Sequence, residues 1–243
     1  MNEMNHLSNK VILITGASSG IGKAIAQALD GYRPRLVLVA RRGEALTALA
    51  DSLESECLVI PADLLETATL KQLLVQTLER FGRLDVLINN AGVGGKVGLL
   101  PELPDAQILR MIQLNLSVPI LLSKYAVEQF TQQGGGGTVL NINSIAGKWA
   151  FPYWSVYDAS KAGLKAFTEA MSEEQRVNQN RFMSIYPGAC ATAIWDSVDL
   201  AQVPDASGML SPLQVANAVV YALNQPQELL ISDITLMPTQ ALL

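Results

Sequence analysis

Apolar residues in this chain gather in short runs, separated by longer stretches with helical spacing. The runs fall at residues 11–14, 36–39, 58–60, 86–88, 138–142, 182–185 and 229–236. A short continuous apolar run reads as a strand buried on both faces. Between two of these runs, Leu70, Leu73, Leu74, Thr77, Leu78 and Phe81 carry the spacing of one buried helix face. Seven strands alternating with helices predict an α/β fold: a doubly wound parallel sheet with helices on both faces. No linker divides the 243 residues, which fit a single domain over 1–243. The four glycines at 134–137 follow a long helical pattern rather than a strand, so they read as a plain loop.

Composition narrows the function classes. Hydrophobic residues make up 49% of the chain and charged residues 16%, enough to build a core and too little charge for disorder. A net charge of -5 excludes the electrostatic footprint of a nucleic-acid or anionic-membrane binder. No uninterrupted apolar stretch reaches the ~18 residues of a membrane helix. Residues 1–9 lack an apolar signal-peptide core and read as a loose N-terminus. Cys57 and Cys190 are too few for a disulfide framework and fit buried thiols in a reducing cytoplasm. His6 is the only histidine, and no cluster of Cys, His and acids suggests a metal site.

Two local patterns carry chemistry. Tyr157 and Lys161 are four apart in a helical stretch, so they share one face. An ammonium beside a phenol favours the phenolate and lowers its pKa. A phenol so tuned exchanges protons with a carbonyl or alcohol oxygen near neutral pH. Ser144, thirteen residues upstream of Tyr157, can hydrogen-bond the same oxygen. The other pattern begins where the first strand runs into Thr15-Gly16-Ala17-Ser18-Ser19-Gly20-Ile21-Gly22 and then a helix. Gly16 permits a tight turn, Gly20 lets backbone approach a pyrophosphate, and Gly22 lets helix pack closely on strand. The spacing is G-x-x-x-G-x-G, not the common G-x-G-x-x-G.

Together with Asn89-Asn90-Ala91-Gly92, Asn115 and Pro187-Gly188 with Thr192, these residues resemble the short-chain dehydrogenase/reductase family in order and spacing, from about residue 10 to 237. The resemblance implies a Rossmann-type seven-stranded sheet and an oxidoreductase that interconverts a carbonyl compound and its alcohol by hydride transfer. It implies Tyr157 as acid and base, Lys161 as its modulator and a ribose ligand, and Ser144 as the group orienting the substrate oxygen. Asn115 would hold a water linking Lys161 to solvent. The turn residues Ser18, Ser19 and Ile21 join the three glycines in binding the cofactor. Asp63 and Leu64 would border adenine; Asn90, Ala91 and Gly92 the ribose and nicotinamide; Pro187, Gly188, Cys190 and Thr192 the carboxamide. Family members commonly form homodimers or homotetramers through helices that here span about 105–131 and 155–178. The tail at 234–238 looks like the branch of 3-hydroxy acid dehydrogenases and sepiapterin-reductase-like enzymes.

The second strand ends at Ala40, where NAD-preferring relatives carry Asp, and Arg41 and Arg42 follow. Guanidinium suits a 2′-phosphate, so NADP(H) is the expected cofactor. The alternative makes these arginines a solvated helix entry, and Asp63 a helix cap. Substrate identity is expected in residues 93–101, in 146–154 and in a lid over 192–210 that includes Ile194, Trp195 and Val198. Aromatic and apolar residues dominate the last two and suit a partly apolar carbonyl compound; Trp149 and Trp154 also fit packing or a subunit interface. Lys148 could meet a substrate carboxylate or simply be solvated. Ser160 reads as packing. A catalytically idle NADP-binding sensor or scaffold is the competing reading, although it need not keep Ser144, Tyr157 and Lys161 together; an epimerase or dehydratase of the extended branch fits the glycine spacing poorly.

Overall fold

The computed structural model describes residues 5–197 and 208–239. Seven parallel strands form one sheet in the order β3-β2-β1-β4-β5-β6-β7. They are β1 (Val11–Thr15), β2 (Arg35–Ala40), β3 (Glu56–Pro61), β4 (Val86–Asn89), β5 (Thr138–Ile142), β6 (Arg181–Pro187) and β7 (Asp233–Leu236). β1 pairs with β2 through Leu13↔Val37 and with β4 through Leu13↔Leu87. The strand order therefore reverses at β1, and a crevice opens there beyond the carboxyl ends of the strands.

Alternation along the strands feeds two apolar layers. Ile12, Ile14, Leu36 and Leu38 face the layer filled by Ile25 and Leu29 of α1 (Gly20–Asp30) and by Val215 and Val219 of α7 (Pro212–Leu223). Val11, Leu13, Val37 and Val39 face Leu70, Leu73 and Leu74 of α3 (Thr67–Phe81). Leu122 and Phe130 of α5 (Val118–Gln132) complete that second layer. α2 (Gly43–Ala50) packs over β3 and β2 at one edge of the sheet, with Leu46 and Leu49 buried.

α4 (Asp105–Ile112) runs through a π-helical turn, Gln113–Ser117, straight into α5. The resulting 28-residue helix is, by length and composition alone, long and apolar enough to cross a membrane. The sequence reading missed this because polar residues interrupt every apolar run. Val118, Leu122, Ala126 and Phe130 face the sheet, which is the pattern of a core helix. α6 (Ser155–Glu174) is the second long helix, extended by a short turn at Arg176–Asn178.

Two expectations need correction. The last strand is shorter than residues 229–236, because Leu229 follows a turn closed by Leu229 N donating to Pro226 O, and its own carbonyl accepts from buried Arg181. The N-terminus is anchored from Asn5 onward: the His6 amide donates to Asn224 Oδ1 and Leu7 is buried. Residues 1–4 lie outside the described residues. The glycines at 134–137 do form a loop, with positive φ at Gly134, Gly135 and Gly136.

Candidate active site

The turn after β1 is built for close approach. Gly16 has φ +67°, and a Cβ there would lie 2.9 Å from Asn90 Nδ2. A Cβ on Gly22 would collide with the same amide and with the Gly16 carbonyl oxygen. Asn90 Nδ2 donates to Thr15 O (2.8 Å) and Gly16 O (3.2 Å), so this side chain locks the turn. Thr15 Oγ1 accepts from the amides of Asn90 and Ala91, both at 3.0 Å, and ties the end of β4 to β1. α1 starts at Gly20 after an extended Ser19, with no acid in its first turn and no side-chain cap. Its leading N–H groups suit an anion. Thr192 stands over this entry: a Cβ on Gly20 would lie 3.3 Å from its methyl. Such a cradle fits the pyrophosphate of a dinucleotide.

At the end of β2, Ala40 is buried and both arginines are exposed. Arg42 Nη2 reaches Ser18 Oγ (3.3 Å) and Ser18 O (3.4 Å), joining the second strand end to the glycine turn. Asp63 is not a helix cap. Its Oδ1 accepts from the Leu65 amide (3.0 Å) in a local turn, and α3 begins only at Thr67. Leu64 is buried.

Next to the turn lies a cleft of about 470 Å³ whose lining includes Asn90, Gly92, Ser144, Tyr157, Lys161 and Thr192. Pro187, Gly188 and Cys190 also border it. The Cys190 thiol is pushed up to about 11 by burial, so it stays protonated. α6 brings Tyr157 and Lys161 to one face, as their spacing predicts, with Lys161 Nζ 5.8 Å from the Tyr157 ring centre. Ser144 lies at the exit of β5 in extended conformation, its Oγ accepting from the Ala146 amide (3.2 Å).

The electrostatics differ from the expectation. Lys161 Nζ donates to Ile142 O (3.1 Å) rather than to the phenol. Burial lowers the Lys161 pKa to about 8. Burial likewise raises Tyr157; a hydrogen bond with Ser144 pulls it back, and the Asp158 charge raises it further. In this state desolvation outweighs any help from Lys161 to the phenolate.

Asn115 sits on the π-helical turn and is fully buried. Its Oδ1 accepts from Val93 N and its Nδ2 donates to Val93 O, both at 2.9 Å, and Nδ2 also donates to Ser160 Oγ (3.2 Å). Both amide hydrogens are thus committed to clamping the segment after β4 onto α6. Ser160 does more than pack: its Oγ also donates to Tyr157 O (2.7 Å). Sequence reasoning gave no separate role to Thr15 or Asp158 and read Ser160 as packing. Each stands inside a quoted motif, and polarity at a buried motif position was the available signal. Asp158 is buried, its Oδ2 accepts from Phe151 N (2.7 Å), and its Oδ1 has no partner.

Of the expected substrate segments, Phe151, Tyr153 and Trp154 line the cleft, as do Ile194 and Trp195. Trp149 is not among the lining residues and is exposed. Lys148 does not line the cleft: partly exposed, it bonds Asp233 (2.6 Å) and Thr235 (2.9 Å) over the Tyr186 ring. The base of the expected lid is stapled, with Ala191 N donating to Leu210 O and Leu210 N to Ala189 O. Val198 and the rest of 198–207 lie outside the described residues.

A short chain dehydrogenase family model matches residues 10–202. An uncharacterized oxidoreductase of Staphylococcus aureus (strain USA300) is 32% identical over 97% of this chain and 100% of its own. A ketoacyl reductase of Nostoc is 32% identical over 95% of this chain and 81% of its own. Among solved structures, an alcohol dehydrogenase from the archaeon Thermococcus sibiricus, complexed with 5-hydroxy-NADP, superposes with TM-score 0.85 at 29% identity, over 96% of this chain and 97% of that one. A metagenomic short-chain oxidoreductase in complex with NADP gives 0.82 at 31% identity, over 96% and 99%.

Proposed function

The chain belongs to the short-chain dehydrogenase family and is an oxidoreductase, and we propose that it is an NADPH-dependent enzyme interconverting a carbonyl compound and its alcohol. The observation that carries this is the meeting of Tyr157, Ser144 and Lys161 in the cleft that adjoins the glycine cradle.

When bound, a reduced nicotinamide supplies the hydride for the carbonyl carbon. Tyr157 hands its phenolic proton to the carbonyl oxygen, and accepts it back in the oxidation direction. Ser144 Oγ donates to the same oxygen and steadies its growing charge. Lys161, charged below about pH 8, offsets the phenolate left on Tyr157. Asn115 and Ser160 fix the helix backbone under Tyr157. Gly16, Ser18, Ser19, Gly20, Ile21 and Gly22 hold the pyrophosphate, and Asn90, Ala91 and Gly92 the adjoining ribose.

Preference for NADP(H) rests on Arg41 and Arg42. No carboxylate ends β2, and Arg42 already bridges to Ser18. Two relatives of known structure were solved with NADP or a derivative. We place the enzyme in the cytoplasm, consistent with Cys57 and Cys190 being unpaired thiols. A homodimer or homotetramer through α4–α5 and α6 is supported by exposed Leu109 on the apolar long helix. The test is oxidation of NADPH, against NADH, with a panel of ketones and aldehydes. Turnover favouring NADPH supports the proposal; tight NADPH binding with no turnover across the panel contradicts it.

A further inference from the structure

An aromatic wall leads away from the proposed acid. Trp154 meets Tyr157 edge-on, with ring centres 5.5 Å apart at 65°. Trp195 meets Trp154 the same way, at 5.9 Å and 78°. Trp195 is pinned by its indole N–H, which donates to Cys190 O at 2.8 Å. Tyr153 adds a third ring at the cleft, held at φ +71° and exposed. A bulky side chain at positive φ is strained and persists where its surroundings enforce it. Here Gly98 N donates to Tyr153 O at 3.2 Å.

Charge in the cleft is equally informative. Among the described residues its lining holds one cation, Lys161, and no carboxylate. Lys161 is buried and already donates to Ile142 O. Lys148, the nearest candidate in sequence for meeting a carboxylate, is bound to Asp233. The sequence from 192 to 211 contains no Lys, Arg or His, only Asp196, Asp199 and Asp205. Among the described residues, a substrate carboxylate entering here would find no counter-charge apart from Lys161, whose ammonium is already bonded to Ile142 O.

We propose that this cleft selects an uncharged ketone with an aromatic ring next to the carbonyl, the ring lying along Trp154 and Trp195, and that it rejects keto acids of the same skeleton. This rests on the carbonyl-reductase reading above. In the reaction the C=O π bond breaks, the carbonyl carbon gains a hydride from NADPH, and the oxygen gains the Tyr157 proton.

Four compounds separate ring from charge: methyl phenylglyoxylate, phenylglyoxylate, methyl pyruvate and pyruvate. Turnover is measured with NADPH, and binding by quenching of tryptophan fluorescence in the NADP⁺ complex. The aromatic ester is expected to exceed its own acid by about 100-fold in kcat/KM and the aliphatic ester by roughly tenfold. Only the aromatic ester should quench strongly. Trp195→Leu should erase the ring preference and keep the ester-over-acid preference. Trp195→Arg, a second variant at the same wall, should raise binding of phenylglyoxylate. Equal use of ester and acid, or no advantage for the ring, overturns the inference. Failure of the aromatic ester to quench overturns it as well. Strong selective quenching by the aromatic ester without turnover upholds the pocket and sinks the carbonyl-reductase reading instead.

Discussion

Lys161 donates its ammonium hydrogen to the carbonyl oxygen of Ile142 at 3.1 Å, and Tyr157 is left to Ser144. The lysine is buried and its pKa falls to about 8 from 10.5. The unfolded chain therefore binds more protons between those values, and stability rises with pH across that window. Tyr157, shifted upward, acts with the opposite sign only above 10.0. Lys161→Met should be more stable than the parent below pH 8, by up to about 3 kcal/mol, less what the lost bond to Ile142 contributed. The gain should vanish above pH 10.5. Urea unfolding at several pH values measures it; a difference independent of pH would mean that Lys161 keeps an ordinary pKa in the fold.

Asp158 raises the Tyr157 pKa through its charge. Asp158→Asn keeps an acceptor for Phe151 N and removes that charge. Tyr157 should then ionise at lower pH, and the rising limb of alcohol oxidation should move to lower pH. A limb that stays put, or moves up, contradicts the coupling.

Tyr153 holds a left-handed backbone with a largely exposed side chain. Tyr153→Gly should stabilise the fold by about 1 kcal/mol while raising KM for aromatic ketones. Thermal melting and steady-state kinetics read the two effects separately. A destabilised variant would mean that the tyrosine ring contributes more packing than its exposure indicates.

Arg41→Asp and Arg42→Asp should each weaken NADPH binding by tenfold or more and NADH binding far less. Arg42→Asp should also loosen the turn at Ser18, so some loss of NADH is expected there alone. Equal losses for both dinucleotides in Arg41→Asp contradict a 2′-phosphate role.

Much of the sheet was legible because parallel strands buried on both faces must be apolar throughout. Residues 138–142 were read to the residue. The C-terminal run was overread because Leu229 and Leu230 are apolar yet exposed, and an apolar run does not reveal that its carbonyl serves a buried arginine. Tyr157, Lys161 and Ser144 were legible from helical spacing and motif order, and the structure brings them together. The fate of Lys148 was not, since its partner Asp233 is 85 residues away and only β7 pairing on β6 brings it near. The direction of the Tyr157 and Lys161 shifts was also hidden. Spacing places an ammonium near a phenol, but burial and the Ile142 carbonyl decide which effect wins.

The most direct test is Tyr157→Phe, compared with the parent for NADPH-dependent ketone reduction and, separately, for NADPH binding by fluorescence. Turnover should fall by at least about 100-fold with binding nearly unchanged. Retained turnover would remove Tyr157 from the acid's role and leave the chemistry of this cleft to another group.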